Sequence, residues 1–443
     1  MDIKLSESFT YKKLLRFTLP SIVMMIFTSI YGVVDGFFVS NFVGKTPFAA
    51  VNFIMPFLMI LGAIGFMFGT GGSALVSKTM GEGDPEKAKR IFSLLIYVST
   101  ACAVVIAVVG IALLRPLASL LGAEGELLEN CVRYGRIILI ALPAYVLQFE
   151  FQSFFVTAEK PQLGLAFTVA AGVTNMVLDA LLVAVFPLGL EGAAAATAIS
   201  QAVGGIAPLV YFARPNKSLL RLTKTRFDGK ILLKTCTNGS SELMSNISMS
   251  LVGMLYNVQL MKYAGEDGVA AYGVLMYINM IFLAAFIGYS VGTAPVIGYH
   301  YGAQNHAELK SLLGKSMRII SVFAVCMFAL AEILARPLAS IFVGYDAGLT
   351  ELTVRAFSIF SFAFLFAGFS IFGSSFFTAL NNGLISAAIS FLRTLVFQIA
   401  AVLILPLIFD IDGIWYSIVV AEVVSVIVTA IFIFTKRKKY GYM

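Results

Sequence analysis

Charged residues are scarce in this chain of 443 residues. Only 12% of its residues are Asp, Glu, Lys or Arg, and it contains two histidines and one tryptophan. Apolar residues make up 59% of the sequence, and the mean hydropathy is +0.92. A water-soluble globule of this size needs far more polar surface than this composition supplies. The composition therefore excludes a soluble domain and predicts an integral membrane protein.

Cysteine patterns and catalytic motifs are also missing. Cys102, Cys131, Cys236 and Cys326 are scattered singly without disulfide or metal-ligand spacing, so we expect small buried side chains. The sequence has no nucleophile beside a base, no His or Cys cluster, no glycine-rich phosphate loop and no Walker motif. We therefore expect neither an enzyme nor a bound cofactor, and any uphill transport would draw on an ion gradient.

Long apolar stretches dominate the chain. We count twelve, each long enough for a helix to cross a hydrocarbon core of about 30 Å. Their spacing is not the period-two alternation of a membrane barrel, and continuous runs of this length satisfy their backbone only as helices. The sequence thus predicts an all-α protein with twelve transmembrane helices. They lie near residues 14–40, 51–77, 91–114, 134–157, 162–186, 193–213, 232–261, 269–299, 316–343, 355–379, 384–409 and 414–435.

The chain is an internal duplication. The run Arg-Pro-Leu-Ala-Ser at 115–119 returns at 336–340, and Gly81 meets Gly302 at the same offset of 221 positions. Six helices per copy is an even number, so both copies enter the membrane from the same side. We predict two parallel six-helix bundles related by a pseudo-twofold axis along the membrane normal. Their predicted bounds are 1–213 and 232–443, with a basic linker at 214–231.

Basic residues are distributed unevenly between the loops. Most of the 31 Lys and Arg residues fall on alternate loops that include both termini and the linker. By the positive-inside rule, we expect a multi-pass protein of the inner (plasma) membrane with both termini in the cytoplasm. Basic loops beside anionic lipid also explain the net charge of +7 without a nucleic-acid partner.

Four polar residues distinguish the first copy from the second. A carboxylate inside a span costs about 2.5 to 3.5 kcal/mol on insertion scales, so it usually faces a cavity or a partner. Residues four apart on a helix share one face, so such a pair can converge with a carboxylate from another helix. The resulting dry, oxygen-lined pocket suits either a proton or Na+. The four residues are Asp35, Asn175, Asp179 and Thr197, and their counterparts are Tyr256, Val396, Ala400 and Ile418.

At these residues the sequence resembles the MATE family of multidrug and toxic compound extrusion transporters. The resemblance lies in the run from Val34 to Gly44, the segment 175–179, the loops at Gly81 and Gly302, and the twelve helices in two parallel groups of six. It implies antiport of lipophilic, often cationic and aromatic compounds by a protein that works as a monomer without a cofactor. It also implies a prokaryotic branch in which the coupling site for H+ or Na+ is formed by Asp35, Asn175, Asp179 and Thr197.

The resemblance further implies a hinge at Pro20 in the first helix. Proline removes an amide donor and crowds the preceding turn, so a weak point there is also physically reasonable, as is a static kink. The second copy departs from other MATE branches, because its tenth helix has no acid between Ala356 and Ala379. We therefore expect no ion site in the second copy.

Several further polar residues are candidates for secondary roles. Glu242 is expected to pair with a basic loop residue or to contact substrate, and Tyr256 and Glu150 are further candidates for polar or substrate contacts. Glu150 and Glu422 are expected to form interhelical pairs. Arg393 is expected to snorkel toward the interface. His300 is expected to cap a helix or face lipid.

Two other functions stay open at this point. A lipid or lipid-linked oligosaccharide flippase of the same superfamily would need a basic cavity, whereas the polar residues of this chain are acidic. A non-coupled channel or a structural membrane protein would not need an ionisable pair confined to one copy.

Overall fold

The computed structural model describes residues 3–443, apart from the side chain of Lys45. This part of the chain is helical with short connections, and it contains no strand. Three π-helical segments continue regular helices: Val39–Val43 follows α1, Ala180–Val185 follows α6 and Leu392–Val396 follows α12. The α-helices are α1 (Tyr11–Phe38), α2 (Lys45–Gly81), α3 (Pro85–Leu120), α4 (Gly125–Ile140), α5 (Leu142–Thr157), α6 (Pro161–Asp179), α7 (Gly189–Ala213), α8 (Gly229–Gly302), α9 (His306–Val343), α10 (Ala347–Ser361), α11 (Phe364–Ala379), α12 (Gly383–Phe391), α13 (Phe397–Ile404) and α14 (Pro406–Tyr440).

These helices form twelve membrane spans. Within residues 3–443, nine helical units are long and apolar enough to cross a bilayer, and the pairs α4–α5 and α10–α11 form two further spans bent by 54° and 50°. Helix α8 has 74 residues and as a straight rod would be about 110 Å long, several times the hydrocarbon thickness. It breaks at Gly265, where φ is 64° and ψ is −151°. Counting α8 as two spans gives twelve, which confirms the number predicted from hydropathy.

The duplication is visible in matching contacts. Arg115 forms an ion pair with Glu129 at 2.8 Å, and its counterpart Arg336 pairs with Glu351 at 2.7 Å. In both halves this contact joins the end of one helix to the first helix of a bent pair. Residues 214–228 connect the halves, and α8 begins at Gly229, three residues before the predicted start of the second bundle. The division into two bundles with a linker stays a prediction that this arrangement supports.

The constant offset of 221 does not hold along the whole chain. Helix α6 begins at Pro161 and its equivalent α12 begins at Gly383, which is 222 positions later. The additional residue lies earlier, between Arg336 and Glu351, because the ion pair Arg115–Glu129 spans 14 positions and the pair Arg336–Glu351 spans 15. The structural counterparts of Asn175 and Asp179 are therefore Phe397 and Ala401, rather than Val396 and Ala400 as the fixed offset predicted. These counterparts are also apolar, so the asymmetry between the copies persists.

The two halves make their closest contacts at the end of the bundle that carries both chain termini, which we call the terminal end. A Cβ atom on Gly71 would lie 2.2 Å from the carbonyl oxygen of Thr235, and one on Gly239 would lie 1.9 Å from that of Met67. Glycine at 71 and 239 lets the backbones of α2 and α8 touch. Asn381 also donates a hydrogen bond of 3.1 Å to the carbonyl oxygen of Ala74. The terminal end is therefore closed.

Space remains beside α1 and α8 toward the opposite end of the bundle. In the described part of the chain, no atom beyond the adjoining backbone lies within 4 Å of the position that a Cβ would take at five of their glycines. All five lie farther from the terminal end than the tight contacts do. They are Gly32, Gly36, Gly253, Gly265 and Gly273.

The segment before α1 crosses the closed end as a strap, which we define as residues 3–10. The side chains of Leu5 and Phe9 are buried in a core formed by both halves. The amide of Leu5 donates to Glu159 at 2.6 Å, and the amide of Phe9 donates to Glu308 at 2.8 Å. Since Glu159 belongs to the first half and Glu308 to the second, the strap ties the two halves together.

Two expectations about minor residues are wrong. Cys102 and Cys326 are exposed on their spans rather than buried, since a small, weakly polar thiol is tolerated on the apolar outer surface. His300 does not face lipid, because its side chain is buried and its Nε2 lies 3.3 Å from the carbonyl oxygen of Glu7 in the strap. Nothing in the hydropathy pattern indicates that the amino-terminal segment folds back onto α8.

Candidate cation site

The structure brings the four candidate residues of the first half together. Asp35 comes from α1, Asn175 and Asp179 come from α6, and Thr197 comes from α7. The hydroxyl of Thr197 donates to Asp35 Oδ1 at 3.3 Å, and Asp179 and Asn175 are the other polar neighbours of the Asp35 carboxyl group. Asp35 thus shares one pocket with residues that are 140 to 162 positions farther along the chain.

Both acids lie where a regular helix changes to a π-helix. Asp179 is the last residue of α6, and the segment Ala180–Val185 follows it. Asp35 lies one turn before Val39, whose amide bonds to the carbonyl oxygens of Asp35 and Gly36. A π turn inserts a residue into the helix and redirects the side chains next to it, which is why such turns are common at functional sites. The local backbone thus helps both carboxyl groups to point into one pocket.

The pocket has more acceptors than donors. Asp35 is 9% exposed, Asn175 is 2% exposed and Asp179 is fully buried. Neither carboxyl oxygen of Asp179, nor the amide oxygen of Asn175, has a hydrogen-bond donor in the described part of the chain. A buried carboxylate without a donor is strongly destabilised unless it is neutralised. The chemistry of this pocket is suited to a proton or a small cation, for which its oxygens are suitable ligands.

A tyrosine that the sequence did not single out also lines this pocket. Tyr134 in α4 is 1% exposed, its hydroxyl has no hydrogen-bond partner among the described residues, and its charged neighbours are Asp35 and Asp179. The hydroxyl of Thr197 is a further polar neighbour of Tyr134. Tyrosine is common in membrane helices, so its identity alone carries little information. At the fixed offset of 221 its position in the second half is Arg355, so comparison of the two copies gave no usable signal for it.

A second tyrosine lies one turn before Asp35 in α1. The hydroxyl of Tyr31 accepts a hydrogen bond of 3.2 Å from Gln148, which is buried in α5. Asp35 is among the charged neighbours of Tyr31. The polar environment of the acid thus extends from α6 and α7 to α5, which the sequence did not indicate.

Pro20 lies far from the acids along α1. The helix runs without interruption from Tyr11 to Phe38, with Pro20 buried inside it, and its irregular part is the segment Val39–Val43. Fifteen residues separate Pro20 from Asp35, which corresponds to about 22 Å along a helix. Pro20 adjoins the closed terminal end, since the backbone at Ser21 and Ile22 touches Gly288. A hinge at Pro20 stays a prediction.

The other polar candidates lie outside this pocket. Glu150 is buried in α5, and its Oε2 accepts a hydrogen bond of 2.6 Å from Ser99 of α3, so its interhelical contact involves a hydroxyl rather than a basic residue. Glu242 does not pair with a basic loop residue, because its basic neighbour is Arg393 within a span. Tyr256 is buried in the second half and stacks on Tyr272, with 5.2 Å between the ring centres.

Arg393 does not snorkel to the interface as expected. Its side chain is 13% exposed and makes a forked contact with Glu422, with Nε at 2.9 Å and 3.0 Å from the two carboxyl oxygens. Its Nη2 lies 2.8 Å from Oε1 of the same residue. The predicted interhelical pairing of Glu422 is thus confirmed. Arg393 stays inside the bundle because the carboxylate of Glu422 neutralises its charge there.

Comparison with known proteins places the chain in a family. The MatE family profile matches it twice, over residues 20–181 and 243–404. The chain belongs to the MatE family. It is 25% identical over 441 residues to the multidrug export protein MepA of Staphylococcus saprophyticus, covering 98% of this chain and 95% of that protein.

Solved structures share the fold. A MATE protein crystallised in complex with MaL6 superposes with a TM-score of 0.94 at 22% identity, covering 99% of this chain and 98% of that one. The outward-facing conformation of a multidrug resistance MATE family transporter of the MOP superfamily gives a TM-score of 0.93 at 23% identity, with the same coverage. The MatE chain described here thus has the twelve-helix architecture of these transporters.

Proposed function

We propose that this MatE protein is a secondary active exporter of lipophilic, often cationic and aromatic compounds, driven by H+ or Na+. The observation that carries the proposal is the pair Asp35 and Asp179, buried together without a basic partner inside the first half. The multidrug export function named for the Staphylococcus relative and for the similar transporter structure supports the choice of substrate class.

The physical argument concerns charge in a dry pocket. Two ionised carboxylates at close range in a medium of low dielectric constant repel each other and lack hydration. Binding of a proton or of Na+ removes part of this cost. The ion is therefore expected to stabilise the conformation in which α1, α6 and α7 close tightly around the acids, whereas loss of the ion favours a looser pocket with access to water.

Transport follows if ion and substrate favour different conformations. A ligand shifts a conformational equilibrium only by its differential affinity for the two states. The structure is closed at the terminal end, which by the distribution of basic residues we assign to the cytoplasm. We infer that it represents a state open to the outside, from which ion binding at Asp35 and Asp179 promotes substrate release. A single charge moving through 100 mV supplies about 2.3 kcal/mol, to which an ion concentration gradient adds.

Dye efflux from proteoliposomes tests this proposal. Proton and sodium gradients are imposed separately, and uptake or release of a fluorescent cation such as ethidium is followed. Asp35→Asn and Asp179→Asn are expected to abolish gradient-driven transport, because an amide neither binds a proton nor neutralises a cation. Glu126→Gln, which changes an exposed acid of the same half, is the matched control. Undiminished gradient-driven transport by Asp35→Asn would contradict the proposed coupling site.

A flippase for anionic lipids or lipid-linked sugars is less well supported. Such a protein needs uncompensated basic residues facing its cavity to bind phosphate. The arginine inside the second half, Arg393, is already neutralised by Glu422. Stimulation of phospholipid movement in the same proteoliposomes, without dye transport, would favour this alternative.

A further inference from the structure

The second half contains a polar cluster of its own. Arg393 lies in the π-helical segment Leu392–Val396 and makes a forked ion pair with Glu422 of α14. Tyr256 is 2% exposed, and its hydroxyl has no hydrogen-bond partner in the described part of the chain. Glu422 is the charged neighbour of Tyr256. Glu242 is a further acid within electrostatic range of Arg393. We call these four residues the second-half cluster.

The second-half cluster uses the helices equivalent to those of the cation site. Tyr256 is the counterpart of Asp35, since both lie 9 residues before the matching glycines Gly265 and Gly44. Glu422 is the counterpart of Gln201, and Gly413 and Gly192 fix that register. Both clusters therefore sit between the first, fifth and sixth spans of their halves.

The two clusters differ in how their acids are neutralised. In the first half, Asp35 and Asp179 have no basic partner, so neutralisation requires an ion from solution. In the second half, three contacts of 2.8 to 3.0 Å join the guanidinium of Arg393 to Glu422, which is 3% exposed. Arginine keeps its charge over the range of pH that proteins meet, and it cannot diffuse away. Charge neutralisation is thus permanent in the second half and exchangeable in the first.

We propose that Arg393 is a tethered cation, which holds the second half permanently in the form that the first half reaches only when its ion is bound. The half without an exchangeable ion then acts as the fixed partner, and ion-dependent rearrangement is confined to the first half. The inference rests on the proposed function for the role of the first site, but its claim about Arg393 concerns ion binding and can be tested without transport.

The proposal predicts that removing Arg393 converts the second-half cluster into an ion site. Arg393→Leu leaves Glu422 buried with Tyr256 as its hydroxyl neighbour and Glu242 as a second acid nearby. A buried carboxylate in this position must be neutralised by a proton or a monovalent cation. The free energy of unfolding of this variant should therefore gain a dependence on Na+ and on pH in addition to the one that the first-half site gives the unmodified protein.

Thermal unfolding in a background without the first site provides the test. Full-length Asp35→Asn/Asp179→Asn protein is purified, and Arg393→Leu is added alone or together with Glu422→Gln. The intrinsic fluorescence of the single tryptophan, Trp415, reports locally, because Trp415 is buried in α14 two turns before Glu422. Replacing choline by Na+, or acidifying the buffer, should raise the unfolding midpoint of the Arg393→Leu variant by several degrees. The background and the variant lacking both charges retain Glu150 and Glu242, so their midpoints should shift by clearly less.

Other outcomes are equally decisive. If Arg393→Leu is no more sensitive to Na+ and pH than the variant that also carries Glu422→Gln, Arg393 is only a packing residue and the proposal is overturned. If Arg393→Leu does not fold, Arg393→Lys replaces it. Lysine can lose its proton at alkaline pH, so Na+ should stabilise that variant at alkaline pH alone, and no effect of Na+ there would again reject the proposal.

The same measurements separate this inference from the proposed function. An unfolding midpoint of the unmodified protein that responds to neither Na+ nor pH would argue against the first-half site. It would leave the comparison between Arg393→Leu and the doubly substituted variant fully interpretable.

Discussion

Closure of the terminal end depends on glycines, and a single methyl group should prevent it. A Cβ on Gly239 would lie 1.9 Å from the carbonyl oxygen of Met67, whereas an ordinary contact requires at least about 3.4 Å. The backbones of α2 and α8 would have to separate by about 1.5 Å. Overpacking of this kind typically costs 1 to 3 kcal/mol, which shifts a two-state equilibrium by roughly 5- to 150-fold. Gly239→Ala is therefore expected to favour the state that is open at the terminal end.

Cys236 provides the assay, because it lies one turn before Gly239 and is partly buried at this contact. In a protein whose other cysteines are changed to serine, the rate of Cys236 alkylation measures opening of the terminal end. We expect a severalfold faster reaction and slower dye transport in Gly239→Ala. Gly253→Ala is the control on the same helix, since no atom of the described chain crowds its Cβ position. Both substitutions raise helix propensity equally, so that effect cancels. Equal alkylation rates for Gly239→Ala and the control would refute the reasoning.

Three further substitutions test contacts in the structure. Glu308→Gln weakens the charge-assisted hydrogen bond to the amide of Phe9, so Cys236 alkylation should accelerate, whereas a neutral change at the exposed Glu126 should leave it unaltered. Tyr134→Phe removes a hydroxyl beside Asp35 and Asp179, and we expect a shifted pH or Na+ dependence of dye transport with an unchanged amount of folded protein; an unaltered profile would exclude Tyr134 from the site. Ser99→Ala deprives buried Glu150 of its hydrogen-bond donor, which should lower the free energy of unfolding by about 1 to 3 kcal/mol, and an unchanged melting temperature would show that water replaces the hydroxyl.

The fold could be predicted because the bilayer restricts the alternatives. Apolar runs of sufficient length must be helices in a bilayer. The repeated Arg-Pro-Leu-Ala-Ser motif shows which helices of the two halves are equivalent. Hydropathy did not predict the three π-helical segments, because they arise from local packing at single turns, and it is insensitive to the one additional residue between Arg336 and Glu351. The error of one position in the counterparts of Asn175 and Asp179 follows from that additional residue.

The composition of the candidate cation site was predictable, but its surroundings were not. Asp35 and Asp179 were identifiable because an acid inside a span is costly and therefore rare. Tyr134 was not identifiable, because a tyrosine inside a span is ordinary and only the tertiary contact gives it a polar role. The prediction that Arg393 snorkels is wrong. A lone arginine near the end of a span usually extends to the interface, and the sequence does not show that Glu422 of another helix neutralises it inside the bundle.

Comparison of the two halves identifies candidate functional residues but does not show how their charges are neutralised. Duplication identifies residues that the scaffold does not need, because the other copy folds without them. It does not show whether an acid is neutralised by a neighbour or must take an ion from solution. Asp179 and Glu422 are both buried acids absent from the other copy, and their sequence contexts rank them equally. What separates them is a guanidinium 2.8 Å from one and no basic group near the other. The difference between a structural ion pair and an exchangeable ion site therefore lies in a single tertiary contact.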